Sequence, residues 1–185
     1  MVMSLDGFRV REHFVSYGYG FSVALQAAAA LWLFREGLHP LSVLHAVGLV
    51  AYGLRLVIFC RWRDSLAFPG ARQITQSSPG RPYKFWVICS VLYALLALPT
   101  VYVQRRLPAP EASYRGVLQA GLATMAAGLV VEGVADWQKS KFKMKKRDSF
   151  ISSGLFRFSR HANYFGEVVF WAGVWIAATP SFTKW

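Results

Sequence analysis

The sequence predicts an all-α fold: a polytopic transmembrane helical bundle of about five spans with its amino terminus in the cytosol. Three observations carry the prediction. The chain is 55% hydrophobic and only 16% charged, and its charged residues cluster between long apolar runs, as they must when the runs lie in lipid. Five of those runs reach or approach spanning length. Lysine and arginine are distributed unequally between the two sets of connecting segments.

The first span, Phe14 to Phe34, follows a short segment of mixed charge from Met1 to His13 and is too long for a signal-peptide core, so it is expected to be retained. The second runs from Leu38 to Cys60. A turn-rich connection from Arg61 to Lys84 follows, with Pro69-Gly70, Ser77-Ser78 and Pro79-Gly80. The third span, Phe85 to Val103, carries Pro99 near its end, where a kink is expected. The fourth is Gly116 to Ala135, and a shorter fifth is Asn163 to Thr179. Lipid offers the backbone no hydrogen-bond partners, so each run must satisfy its own amides, and Ala- and Leu-rich segments do so as helices. No internal repeat divides the chain, which reads as one transmembrane domain over 1–185.

Outside the spans, fifteen lysines and arginines fall on one side, in the amino-terminal segment, the Arg61–Lys84 connection and the run from Lys139 to Arg160. Five fall on the other: Arg35, Arg105, Arg106, Arg115 and Lys184. The excess places the amino terminus and both basic connections in the cytosol. The net charge of +12 borders hydrophobic segments, which points to phosphate-bearing cofactors or anionic lipid headgroups and away from nucleic acid. Cys60 and Cys89 lack the spacing of a zinc site or a disulfide framework, and no metal site is expected.

Ionisable residues are costly inside a span and usually face a bundle interior. Tyr52 and Arg55, three residues apart, share a face of the second span. Glu132 and Asp136 stand four apart at the cytosolic end of the fourth, and Lys139 and Lys143 continue their face. Asn163 and Glu167, also four apart, open the fifth span after the basic residues Arg157, Arg160 and His161. All three groups are expected at one depth, forming a polar pocket in the cytosolic third of the bundle. The plainer alternatives are carboxylates that pair with the basic rim, Arg55 as a headgroup anchor and Tyr52 as a packing aromatic. Gly18-Tyr19-Gly20 imitates the start of a dinucleotide fingerprint, but it lacks a preceding strand and the third glycine. His13, His39 and His45 have no partner spacing and are assigned no role.

Glu132-Gly-Val-Ala-Asp136-Trp-Gln138-Lys139, followed by Phe142-Lys143, resembles the ExxADxQKxxF segment of the steroid 5-alpha-reductase-like membrane proteins. Gly154-Leu-Phe156-Arg157-Phe-Ser-Arg160-His161-Ala-Asn163-Tyr164-Phe-Gly166-Glu167 resembles that family's GLxRxSRHPNYxGE block, with Ala162 at the usual proline. Upstream, Tyr52-Gly-Leu-Arg55 is similar to the family's Arg-bearing helix, and the segment from Val91 to Pro99 to the span that follows it. The resemblance covers Tyr52 to Trp175 and is strongest from Glu132 onward.

This resemblance implies a membrane-bound oxidoreductase that uses NADPH to reduce a carbonyl-conjugated C=C bond of a steroid or other lipid, with residues 132–179 as its cofactor-binding part. It implies cofactor-binding roles for Arg55, Glu132, Asp136, Lys139, Lys143, Arg157, Arg160, Asn163 and Glu167. Asn163 and Glu167 match the pair at the nicotinamide end, and the four basic residues after Asp136 suit its phosphates. Tyr52 matches the tyrosine that hydrogen-bonds the substrate carbonyl. Family members carry further helical sequence where this chain ends at Trp185, so the alternatives are a truncated, non-catalytic member or a partner chain that completes the bundle. A second enzyme class, the isoprenylcysteine carboxyl methyltransferases, also joins an Arg-His-Pro turn to a downstream glutamate. A eukaryotic member is expected in the endoplasmic reticulum.

Overall fold

The computed structural model describes residues 14–36, 38–66, 82–106 and 112–182. The Met1–His13 segment, most of the connection after the second span, and Lys184 lie outside the described residues. Five α-helices follow one another: α1 (Tyr19–Leu33), α2 (Pro40–Leu66), α3 (Pro82–Arg106), α4 (Ala112–Lys145) and α5 (Ala162–Phe182). A π-helical turn, Phe14–Gly18, leads into α1, and a 3-10 turn, Gly154–Arg157, precedes α5. No strand occurs among the described residues.

Helices α2 to α5 are each long and apolar enough to cross a membrane. The π-helical turn and α1 contribute five and fifteen consecutive residues, which together reach about 30 Å, the thickness of a bilayer core. Large apolar side chains such as Ile58, Ile88, Val130 and Val168 point outward, as lipid-facing residues do, so the chain is an integral membrane bundle.

Two helices exceed the apolar runs that predicted them. α2 continues past Cys60 to Leu66, and α4 continues past Ala135 to Lys145. Hydrophobicity marks only the part in lipid, whereas Gln138, the lysines and Met144 are good helix formers and carry the backbone on. The 34 residues of α4 span about 50 Å, so its lysine-bearing end projects beyond the hydrocarbon. α3 runs through Pro99 as a single helix, because neighbouring helices can accommodate a proline within a span.

Small residues bring the helices together. On the α4–α5 seam, a Cβ on Gly121 would collide with Ala177, one on Gly128 with Phe170, and one on Gly166 with the Glu132 backbone. Such residues let two helix backbones approach closely where lipid supplies no hydrophobic drive between them. Gly20 and Gly53 do the same for α1 and α2, since a Cβ on either would meet the backbone of the other. The buried core between these seams contains Val23, Ala27, Leu49, Tyr52, Met125, Phe170 and Val174.

Gly166→Val should lower the thermal stability of the protein by about 1–3 kcal/mol, the usual cost of overpacking a close contact. The measurement is thermal unfolding in detergent, and an unchanged midpoint would show that α4 and α5 do not approach as described.

Candidate functional site

The polar residues of three helices meet at one end of the bundle. Arg55 of α2 lies between two carboxylates of α4: its guanidinium pairs with Glu132, and its Nη1 donates to Asp136 Oδ2 at 2.9 Å. The i, i+4 spacing of the carboxylates puts both on the face of α4 that α2 covers. Asn163, in the first turn of α5, hydrogen-bonds Asp136 through its side chain. The two acidic side chains retain only 6% and 8% of their surface and that of Arg55 22%, with its Nε and Nη2 themselves buried.

One turn earlier on α2, Tyr52 is fully buried and stacks on Phe170 with ring centroids 4.3 Å apart. Its hydroxyl lies 3.1 Å from Glu167 Oε1 and 3.2 Å from the Tyr19 hydroxyl. Tyr19 donates to the same glutamate oxygen at 3.0 Å, and Trp171 Nε1 donates to the Tyr19 oxygen at 2.6 Å. Tyr52 also links this group to the ion pairs, because the Arg55 guanidinium lies 5.8 Å from its ring centroid. The structure therefore brings Tyr52, Arg55, Glu132, Asp136, Asn163 and Glu167 into two touching networks.

The basic residues sit around this core rather than in it. Lys139, one turn beyond Asp136, adds its charge to the field at that carboxylate. Lys143 donates to the carbonyl of Arg147 at 2.8 Å, and so helps close the carboxyl end of α4. Arg157 and Arg160 are exposed on the segment between α4 and α5. Gly154, at φ 61°, adopts the left-handed conformation that favours glycine, and the next amide, Leu155 N, donates to Gln138 Oε1 at 3.0 Å. The Gln138 side chain thus ties the basic segment back to α4.

A family model described as "Protein of unknown function (DUF1295)" matches residues 8–185. The chain belongs to this family. No curated protein and no solved structure matches it.

For this DUF1295 member, several site residues escaped the reading of the sequence. Trp171 continues the four-residue spacing of Asn163 and Glu167 by one more turn of α5, a signal that was present in the chain. Tyr19 carries a subtler one: the dipeptides Tyr19-Gly20 and Tyr52-Gly53 occur in successive spans. Each glycine lets the helices close, and each tyrosine then reaches its counterpart. Gln138 and Gly166, part of the quoted blocks, have structural roles that spacing alone did not assign. Among the described residues no cluster has the makings of a metal site.

A second buried polar group, Ser42, His45, Thr100 and Gln104, lies toward the other end of α2 and α3. Gln104 Nε2 donates to the Ser42 carbonyl there at 2.6 Å. On α2, Leu49 separates His45 from Tyr52, so an apolar layer stands between the two polar groups.

Gln138→Ala should leave the Leu155 amide without its acceptor and loosen the turn at Gly154. Hydrogen exchange over residues 150–160 should accelerate about tenfold, equivalent to ~1.4 kcal/mol of lost protection, with α5 unaffected. Unaltered exchange in that segment would contradict the tether.

Proposed function

We propose that this protein is a membrane-bound, NADPH-dependent reductase of a carbonyl-conjugated C=C bond in a steroid or other lipid, similar in kind to the steroid 5-alpha-reductases. The observation that carries the reading is an unmet hydrogen-bond need at the start of α5. Asn163 Oδ1 is buried with no partner, and Glu132 Oε2, across from it on α4, is likewise buried and unpaired. A buried acceptor left vacant costs about 1–3 kcal/mol, and a carboxamide N–H would satisfy it.

The donor set fits a dinucleotide of this type. Asn163, fixed to Asp136 through its amide, presents an acceptor to the carboxamide, while Lys139, Lys143, Arg157 and Arg160 provide cations for phosphates on the projecting end of α4 and the segment after it. On this reading those elements face the cytosol, in keeping with the excess of basic residues at that end. NADPH supplies the hydride when bound. The chain's own part is to hold charge and protons in place.

Reduction places hydride on the β carbon, and the electrons of the C=C bond move onto the carbonyl oxygen. A donor at that oxygen lowers the barrier, and Tyr52 can fill this role when its single O–H proton, which faces Glu167 and Tyr19, turns to the substrate carbonyl. The saturated product is complete when the α carbon takes up a proton that comes ultimately from bulk water. Burial of Tyr52 under Phe170 keeps water from competing for its hydroxyl. Arg55 holds the Glu132 and Asp136 side chains in place, and so positions Asn163 through Asp136.

Titration of the protein in detergent with NADPH, followed by cofactor fluorescence, tests the reading. Saturable binding is expected, weakened about tenfold in Asn163→Ala, or ~1.4 kcal/mol. Absence of NADPH binding, or binding of S-adenosylmethionine in its place, would overturn it. Tyr52→Phe should retain NADPH binding and lose enone turnover by about 100-fold, the scale of a lost donor to a developing oxyanion.

A further inference from the structure

The pattern Arg-Asp-Ser followed by a large apolar residue occurs twice, as Arg63-Asp64-Ser65-Leu66 and as Arg147-Asp148-Ser149-Phe150. Further cations precede each copy, Arg61 in the first and Lys145 and Lys146 in the second. Basic residues a few places before a serine are a charge pattern that the acidic substrate clefts of many serine kinases read. The sequence offers two candidates, and the structure separates them. Ser65 is held in α2, where its Oγ donates to the Trp62 carbonyl at 3.0 Å. Ser149 lies on a bend after α4, outside any helix, and the residues from Met144 to Phe150 are all exposed. Phe150 keeps 92% of its surface, more than any other large apolar side chain among the described residues. A kinase must seat the hydroxyl between its catalytic carboxylate and the transferred phosphoryl group, and only the second copy is free of helix for that.

The height of the segment above the membrane suits an enzyme that works from water. The 21 residues of α5 span about 32 Å, close to the hydrocarbon thickness, so Ala162 at its start stands at the boundary. Ala162 shares a buried cluster with Ala135, and α4 continues from there to Lys145, about 15 Å further out. Lys143 touches the chain on both sides of Ser149. Its Nζ donates to the Arg147 carbonyl at 2.8 Å and lies 5.8 Å from the Phe150 ring centroid. A phosphate on Ser149, with a charge of about −2 at neutral pH, would therefore form within reach of this ammonium.

We propose that Ser149 is a phosphoacceptor for a serine kinase that recognises basic residues, and that its phosphate diverts Lys143 from the cofactor. On the orientation that the basic excess implies, the segment faces the ATP-containing cytosol. Ser149 Oγ bonds to the γ-phosphorus of ATP as the bond from that phosphorus to the β-phosphate oxygen breaks. ADP leaves, and the hydroxyl proton passes to the catalytic carboxylate of the kinase. The new phosphate pairs with Lys143 and offsets the cations beside it, so the phosphates of a dinucleotide meet a weaker attraction at this end of α4. The regulatory half rests on the reductase reading, whereas the acceptor half does not.

Incubation of the protein in detergent with ATP and the catalytic subunit of cyclic-AMP-dependent protein kinase, followed by peptide mass spectrometry and NADPH titration, tests the proposal. Phosphate on Ser149 is expected to exceed that on Ser65 by about tenfold, and Arg147→Ala should slow its incorporation about tenfold. Ser152 and Ser153 serve as controls on the same connection, since they are exposed but lack a basic residue at any of the four preceding positions. Phosphorylation should weaken NADPH binding about tenfold, and Ser149→Ala should bind NADPH as the unmodified protein does and show no response to the kinase. Absence of phosphate from Ser149 in folded protein, or equal phosphate on Ser65, Ser152 or Ser153, would overturn the acceptor. NADPH binding that is the same before and after phosphorylation would overturn the regulation. Phosphate on Ser149 in a protein that binds no NADPH at either stage would support the acceptor and overturn the reductase reading, and the regulation with it.

Discussion

One cation inside the bundle holds the acidic ends of the site in place. Arg55 stands between Glu132 and Asp136, where neither carboxylate could remain charged alone at such burial without several kcal/mol of penalty. The guanidinium fork can serve both at once, which an ammonium could do only as a point charge. Through Asp136 the arrangement extends to Asn163, so that α2, α4 and the start of α5 become fixed relative to one another.

The second network depends on the first through the helical repeat. Tyr52 lies one turn from Arg55, so any register that seats the arginine on α4 also drives the tyrosine toward Glu167 and Tyr19. Glycines make both approaches possible: Gly166 lets α5 press on the backbone of Glu132, and Gly20 and Gly53 let α1 close on α2. Polar contacts and small residues thus do complementary tasks, since the first specify which faces meet and the second determine how closely. The result is a buried acidic and aromatic core with a cationic rim on its aqueous side.

Much of this was legible in the chain. Spanning runs gave the number and order of the helices, because lipid imposes one solution on any long apolar segment. The polar residues within those runs named six side chains that the structure brings together, since only a bundle interior tolerates them. Helix ends were less legible. α2 and α4 outrun their apolar segments because helix propensity continues where hydrophobicity stops. Contacts across helices were least legible of all: Tyr19 to Glu167 and Gln138 to Leu155 depend on which faces oppose, and spacing within one helix does not disclose that.

A double-mutant cycle on Arg55→Leu and Asp136→Leu, read by reversible unfolding in detergent, tests the central ion pair most directly. Arg55→Leu alone should cost about 3–5 kcal/mol by stranding two buried carboxylates, and the double variant should recover part of that loss, with a coupling of about 1–3 kcal/mol. Two losses that simply add to within about 0.5 kcal/mol would show that Arg55 and Asp136 do not meet, and the account of the site would fail with them.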